Sequence, residues 1–345
     1  MTETAKWYEK AGSCSDVVCS TRVRLARNLK QYPFPSRATV KQREAVEQKV
    51  KDALLSGNSI LSKEFRFLPL ESASEEEAVS LVERHIDSPE FIADRRGKAV
   101  LISEDESISI MINEEDHLRI QCILPGLQLR ESYKSASQMA RTIEAKHAFA
   151  FDDRLGYLTC CPTNVGTGMR ASVMVRLPAL TLSGQIKGIL DSIGKMGLTV
   201  RGIYGEGSEA LGCIYQISNQ VTLGSSEEDI LQAVDSVVQQ IVEKEREARV
   251  AWQVQPPLNL KDRLMRSYGV LRYACQYSFQ EFMKLLSDVW LAADLGWISI
   301  PREKLLEAMI ESQPSSLQAR ANQNMSPEER DLYRARAMQE ILTND

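Results

Sequence analysis

Five arginines stand beside turns, glycines or alternating segments, where a long basic side chain can face a cleft. In Ser20-Thr21-Arg22-Val23-Arg24, Arg22 and Arg24 share one face if the stretch is extended. Arg119 leaves an acidic turn, Arg170 leaves a glycine-rich loop, and Arg201 precedes Gly202. Guanidinium groups stay charged and bind phosphate oxygens in bidentate pairs, so several converging on one cleft would clamp a polyphosphate. Taken singly, each is more often a solvated surface residue, so convergence is an expectation about the fold.

Two acidic segments lie next to these arginines: Asn113-Glu114-Glu115-Asp116 and Arg201-Gly202-Ile203-Tyr204-Gly205-Glu206. Carboxylates repel phosphate, so placing them at an anion clamp makes chemical sense when a cationic substrate or a metal comes between. A guanidinium is such a substrate. On its own, the first turn reads more often as ordinary polar surface. Cys161 follows an expected strand and precedes the glycine-rich loop at 162–168, where positive charge favours a thiolate able to contact a cation. A buried, inert cysteine fits equally well. His85 ends an amphipathic helix, and a helix-terminal role is its plainer reading.

The 345 residues, 43% hydrophobic and 26% charged, suffice for one large or two ordinary globular domains. Forty-two Lys and Arg against 47 Asp and Glu leave a net charge of −5, unlike the basic footprint of a protein that coats nucleic acid. An anionic ligand must therefore be met by local clusters. No apolar run is long enough for a membrane span and the N-terminus lacks a signal-peptide core, so the chain reads as cytoplasmic. Seven cysteines without CxxC spacing and three scattered histidines point to neither a disulfide framework nor a structural metal. There is no GxxxxGK(S/T) loop, and Gly205-Glu206-Gly207 lacks the third glycine of GxGxxG, which leaves P-loop NTPases and eukaryotic-type kinases unsupported.

The elements that must position these residues follow from periodicity. Residues 39–56 and 128–147 read as amphipathic helices, and Ser74 to Glu77 is a capping box for a helix reaching about His85. Residues 99–102, 107–112 and 118–124 are β-rich, the last two forming a hairpin about the turn at 113–117. Strands are expected near 148–151, 156–159 and 171–177, a helix at 182–196, and an antiparallel pair at 198–203 and 213–218. Ser225 and Glu228 cap a long helix to about Trp252, which Pro256 and Pro257 stop. Everything beyond is helix-patterned, including 279–295, 301–310 and a terminal helix capped by Ser326. The expected fold is α+β, an antiparallel sheet flanked by helices over residues 1–254, followed by an all-helical domain at 255–345.

Together these segments resemble the ATP:guanidino phosphotransferase (phosphagen kinase) family. The resemblance is carried by Ser20 to Arg24, Asn113-Glu-Glu-Asp-His-Leu-Arg119, Cys161-Pro-Thr-Asn164 with Gly166-Thr-Gly-Met-Arg-Ala-Ser172, and Arg201-Gly-x-x-Gly-Glu206 ahead of Ile214 to Asn219. It implies MgATP as phosphoryl donor. Around the nucleotide it places Ser20, Thr21, Arg22, Val23, Arg24, His85 and Arg119, then Arg170 with Ala171, Ser172, Val173 and Met174, and Arg201 with Gly202, Ile203, Tyr204, Gly205 and Glu206. It makes Glu115 and Glu206 the carboxylates that orient the acceptor guanidinium, with Cys161 as a substrate-side thiol.

Family members acting on free arginine or creatine carry a helical N-terminal domain before the first motif. A short lead and an added C-terminal helical domain resemble instead the bacterial branch that phosphorylates arginine side chains of proteins. Arg330, Asp331, Arg334 and Ala335 are similar to that branch's RDxxRA phosphoarginine pocket, and Arg330 and Arg334 at i, i+4 share a helix face. After Glu206, Gly207-Ser208-Glu209 departs from the usual His-Thr-Glu. The resemblance further implies regulation by phosphoarginine, a homodimer, and a place in the stress response. The implied partners are a heat-shock transcriptional repressor, a zinc-binding activator and an AAA+ unfoldase–protease. A free-arginine kinase and a non-catalytic phosphoarginine adaptor are the competing readings.

Overall fold

A computed structural model describes residues 4–56, 63–202 and 210–343. The strands are β1 (Val18–Arg27), β2 (Phe65–Pro69), β3 (Ala99–Ser103), β4 (Ile108–Ile112), β5 (Leu118–Pro125), β6 (Phe151–Asp152), β7 (Gly156–Tyr157), β8 (Met169–Arg176), β9 (Leu198–Gly202) and β10 (Ile214–Asn219). Eight of them form one antiparallel sheet in the order β2-β3-β4-β5-β1-β8-β10-β9, and β6 and β7 form a separate small hairpin. The β4–β5 hairpin and the β9–β10 pair are those expected from the sequence.

β1 lies between β5 and β8 and shows why the sheet holds its register. Val23 and Leu25 are 0% and 1% exposed, and with Ile120, Cys122, Ala171, Val173 and Ile217 they pack against the helices Val40–Leu55, Leu129–Glu144 and Glu227–Val254. Each such valine, leucine or isoleucine contributes about 1.5–3 kcal/mol on full burial. A one-residue slip would exchange Val23 and Leu25 for Arg22 and Arg24 in the core, so the apolar face also fixes where the arginines point.

Several helices differ from expectation. The stretch at 182–196 holds the last residue of a first, short helix, Pro178–Leu182, and the expected helix begins later, as Ile186–Lys195. Gly184 at φ 75° and the Gln185 N–H bonded to the Leu180 carbonyl close the first with a Schellman turn. The long helix is capped one residue later than expected, by Ser226 with Asp229. The helix after Ser74 ends at Glu83, because His85 has a positive φ of 63°. Most of 148–151 is not strand, although Phe149 bridges Leu29.

The C-terminal helices are Leu258–Tyr273, Phe279–Asp294, Arg302–Glu311, Pro314–Ala321 and Pro327–Thr343. Phe282, Met283, Trp290, Leu305 and Met309 pack with Trp7, Tyr8, Ile123, Met174 and Ile214 over one end of the sheet's second face. Asp294, its side chain 1% exposed, sits in this contact and accepts from Arg176, from Arg249 at 3.1 Å and from Arg302 at 2.9 Å. Among the described residues no helix is long and apolar enough to cross a membrane.

Candidate active site

The second face of the sheet carries the arginines. Antiparallel register sets Arg24 between Gln121 of β5 and Arg170 of β8, Arg22 between Ile123 and Ser172, and Arg119 opposite Ala26. On the far side Gln216 of β10 pairs with Arg201 of β9. Arg22 donates Nε to Gln121 Oε1 at 2.5 Å, and Arg170 donates to Ser218 Oγ at 2.9 Å. Burial, then the charges of Arg119 and Arg170, push the Arg22 guanidinium down to about 9. Burial followed by Arg22, Arg119 and Arg170 drives Arg24 the same way, and burial followed by Arg201 and Arg119 lowers Arg170. Arg24 Nε and Arg170 Nε are buried without an acceptor among the described residues. Desolvated like charges with unfilled donors fit a polyanion, whose oxygens would supply both acceptors and countercharge.

The acidic turn at 113–117 is held by its own polar residues. Asn113, at φ 64°, donates Nδ2 to the carbonyls of Arg43 and Gly97, both at 2.9 Å. Asp116 Oδ1 accepts from Asn28 Nδ2 at 2.6 Å and from the Cys160 N–H at 2.7 Å, which ties the turn to the end of β1 and to the Cys160–Cys161 segment. His117 accepts the Leu29 N–H on Nδ1 at 3.1 Å and therefore donates Nε2 to the Pro33 carbonyl at 3.0 Å, a neutral tautomer that burial holds at about 4. Glu115 is left at the tip against the Cys161 thiol; burial, then Asp116 and Glu114, raise its carboxyl above the usual range. Glu114 behaves oppositely. Burial alone would raise it, but Arg119 beside it, at 2.6 Å, and the Ser88 hydroxyl at 2.7 Å hold it low.

The remaining sequence-predicted residues fall into distinct places. Ser20, Ser172 and Met174 lie on the arginine side, whereas Thr21, Val23, Ala171 and Val173 turn their side chains into the opposite, helix-covered face. Gly202 ends β9, and Ile203, Tyr204, Gly205 and Glu206 lie outside the described residues. His85 lies close enough to Arg22 that burial, then that charge, lower its imidazole to about 4. Its carbonyl accepts Gln121 Nε2 at 2.7 Å. Sequence reasoning passed over Gln121, although its position between two arginine-facing sites on an alternating strand was the available signal. Gly166 and Gly168, at φ 111° and 58°, bring the glycine-rich loop onto backbone: a Cβ would sit 2.3 Å from the Thr222 oxygen or 2.7 Å from the Ala26 oxygen. In the terminal helix, Arg334 is buried and spends its donors on the carbonyls of Ser312 (2.8 Å) and Tyr277 (2.9 Å) and on Asp331 (2.6 Å). Arg330, partly exposed, is the more accessible of the pair, and Ala335 is fully buried. A cleft of about 1380 Å³ near Tyr8, Arg84, Glu106 and Glu311 is a separate feature and is lined by none of the five arginines.

Comparison with known proteins bears on this arrangement. The sequence model for the ATP:guanido phosphotransferase C-terminal catalytic domain matches residues 45–248, and that for the protein-arginine kinase McsB C-terminal domain matches residues 257–345. The protein-arginine kinase of Caldanaerobacter subterraneus subsp. tengcongensis is 47% identical over 320 residues, covering 93% of this chain and 95% of the relative. The chain belongs to the protein-arginine kinases of the ATP:guanido phosphotransferase family. The protein-arginine kinase of Brevibacillus brevis is likewise 47% identical, over 98% of this chain and 95% of its own. Among solved structures, the duplicated taurocyamine kinase of Schistosoma mansoni with bound transition-state-analogue components superposes with a TM-score of 0.58 at 33% identity. It covers 66% of this chain, which spans about a third of that duplicated protein (33%). As a member of the protein-arginine kinases, the chain is an ATP-dependent guanidino phosphotransferase. Its arginine face joins Arg119, Arg170 and Arg201, inside the matched catalytic segment, to Arg22 and Arg24, which precede it.

Proposed function

We propose that this chain transfers the γ-phosphoryl group of MgATP to the guanidinium of arginine side chains in proteins. One observation carries the assignment of the site: Arg22, Arg24, Arg119 and Arg170 come from three adjacent strands onto one desolvated face, with Glu115 on the adjoining turn against the Cys161 thiol of a neighbouring segment. In the proposed reaction the guanidinium nitrogen attacks the γ-phosphorus, the bond from phosphorus to the β–γ bridging oxygen breaks, ADP leaves, and the nitrogen gives up a proton. The raised carboxyl of Glu115 suits it to orient the cation and accept that proton, with Glu206 as its proposed companion. The arginines hold the phosphates in line and offset charge on the transferring group, so positioning and electrostatics supply most of the rate.

The described residues contain no group of three or more metal-ligating side chains. The proposed magnesium ion would be held mostly by ATP oxygens and water, with Glu114 and Asp87 as the carboxylates nearest Arg22 in electrostatic terms. When bound, the metal supplies further neutralisation of the triphosphate. The proposal extends to the setting that kinship suggests: a cytoplasmic homodimer regulated through Arg330 and Arg334. It would serve a stress response with a transcriptional repressor as substrate, a zinc-binding activator, and an AAA+ unfoldase–protease that consumes the marked proteins. The test offers γ-labelled ATP with either a folded basic protein or free arginine as acceptor. Acid-labile label on the protein, and little on free arginine, supports the reading; transfer to free arginine alone contradicts it.

A further inference from the structure

The helix Pro314–Ala321 begins without a cap of its own, since Gln313 at its N-cap position makes no side-chain hydrogen bond to the first turn. The cap comes from the catalytic region. The Glu83 carboxylate accepts the Ser315 N–H at 2.9 Å, the Ser316 N–H at 2.7 Å and the Ser316 hydroxyl at 2.9 Å, while the Glu83 carbonyl accepts Gln313 Nε2 at 2.6 Å. From the other side, Arg334 holds the Ser312 carbonyl. The segment 312–316 is thus gripped between the terminal helix and the end of the helix Glu75–Glu83.

Directly after Glu83 the chain reverses through Arg84 and His85, whose left-handed backbone a non-glycine residue adopts only when its surroundings hold it. The His85 carbonyl fixes the amide of Gln121, 1% exposed, and the same amide fixes Arg22 Nε. A buried amide committed at both ends transmits a shift at His85 to the aim of Arg22. We infer that Glu83 is a positioning residue for the nucleotide: by capping Pro314–Ala321 it locks the His85 turn and, through Gln121, orients Arg22 toward the phosphates. This rests on the reading of the arginine face as the ATP site.

The experiment uses the full chain with a folded basic protein as acceptor, and measures the ATP KM, kcat and melting temperature of wild type, Glu83→Ala, Glu83→Gln and Ser278→Ala. Ser278 caps Phe279–Asp294 by accepting the Glu281 N–H at 3.2 Å, so it reports the loss of an equivalent cap elsewhere in the helical domain. Expected is a roughly 5–20-fold rise in ATP KM for Glu83→Ala, with kcat within about threefold of wild type. A rise of roughly 2–5-fold is expected for Glu83→Gln, which keeps one acceptor oxygen, and none for Ser278→Ala. If the alanine variant does not fold, the glutamine variant against Ser278→Ala decides. An active wild type with unchanged KM in the Glu83 variants, or an equal shift in Ser278→Ala, overturns the inference alone. A wild type without ATP-dependent transfer overturns the functional reading and the inference with it.

Discussion

Replacing Arg24 with methionine is expected to move stability and nucleotide affinity in opposite directions. Arg22 is pushed to about 9, more than three decades below an ordinary guanidinium, so the ligand-free protein disfavours its charged form by about 4–5 kcal/mol at about 1.4 kcal/mol per decade. Part is burial and part is the neighbouring arginines. Two guanidinium charges two residues apart on one strand, roughly 7 Å, repel by about 2 kcal/mol at an effective dielectric of about 20. Arg24, displaced in the same direction by burial and by Arg22, Arg119 and Arg170, makes no hydrogen bond through its Nε that its removal would forfeit. Methionine keeps the length of the stem and removes the charge. Urea unfolding of the ligand-free variant should therefore show a gain of about 1–2 kcal/mol, and calorimetric titration should show ATP binding weakened about 10–100-fold, the worth of one charge-assisted hydrogen bond. A variant that is less stable yet binds ATP as tightly as wild type would refute the reasoning, because Arg24 would then be a structural residue.

Three further outcomes follow from the same geometry. Glu115→Gln keeps shape and removes the proton acceptor, so kcat for protein phosphorylation should fall about 10²–10⁴-fold with little change in ATP KM; an unchanged kcat removes Glu115 from the chemistry. His117, held at about 4, stays neutral in the fold while the unfolded chain takes up a proton near 6.5, so the unfolded state binds more protons between those values and stability rises with pH across that window. Acidifying from pH 7 to 4 should cost about 3 kcal/mol from this group, with His85 adding in the same direction, and a slope in urea unfolding no flatter in His117→Gln than in wild type would contradict the assignment. Asp294→Ala strands Arg176 and Arg249 in the interface and should cost about 3–5 kcal/mol in the same assay; a loss below about 1 kcal/mol would show that the pairs do not hold the helical region.

What the sequence revealed depended on whether local pattern or distant packing decided the outcome. The β4–β5 hairpin was legible because alternation and an acidic turn are local, and the helix Val40–Leu55 because Val46, Val50, Ala53 and Leu54 repeat with its period. β2 was missed, since Phe65–Pro69 gains its strand conformation from pairing with β3 and not from alternation. The assignment of whole stretches to the nucleotide side could not tell Arg22 from Val23, whereas the pleat sends them to opposite faces. Gln121 and Glu83 gave no motif, because their roles exist only once His85 and Ser316 are brought to them from 36 and 233 residues away. Arg330 and Arg334 were legible as neighbours on one helix, but that Arg334 is occupied by Ser312 and Tyr277 is a property of packing.

The central claim is spatial, so the most direct measurement is a crystal structure of the chain bound to a non-hydrolysable ATP analogue with magnesium. The account predicts phosphate oxygens within about 3 Å of the guanidinium groups of Arg22, Arg24, Arg119 and Arg170, with Glu115 facing the γ-phosphate from the acceptor side. A nucleotide seated elsewhere, for instance in the cleft beside Tyr8 and Glu311, with those arginines still unfilled, would contradict it.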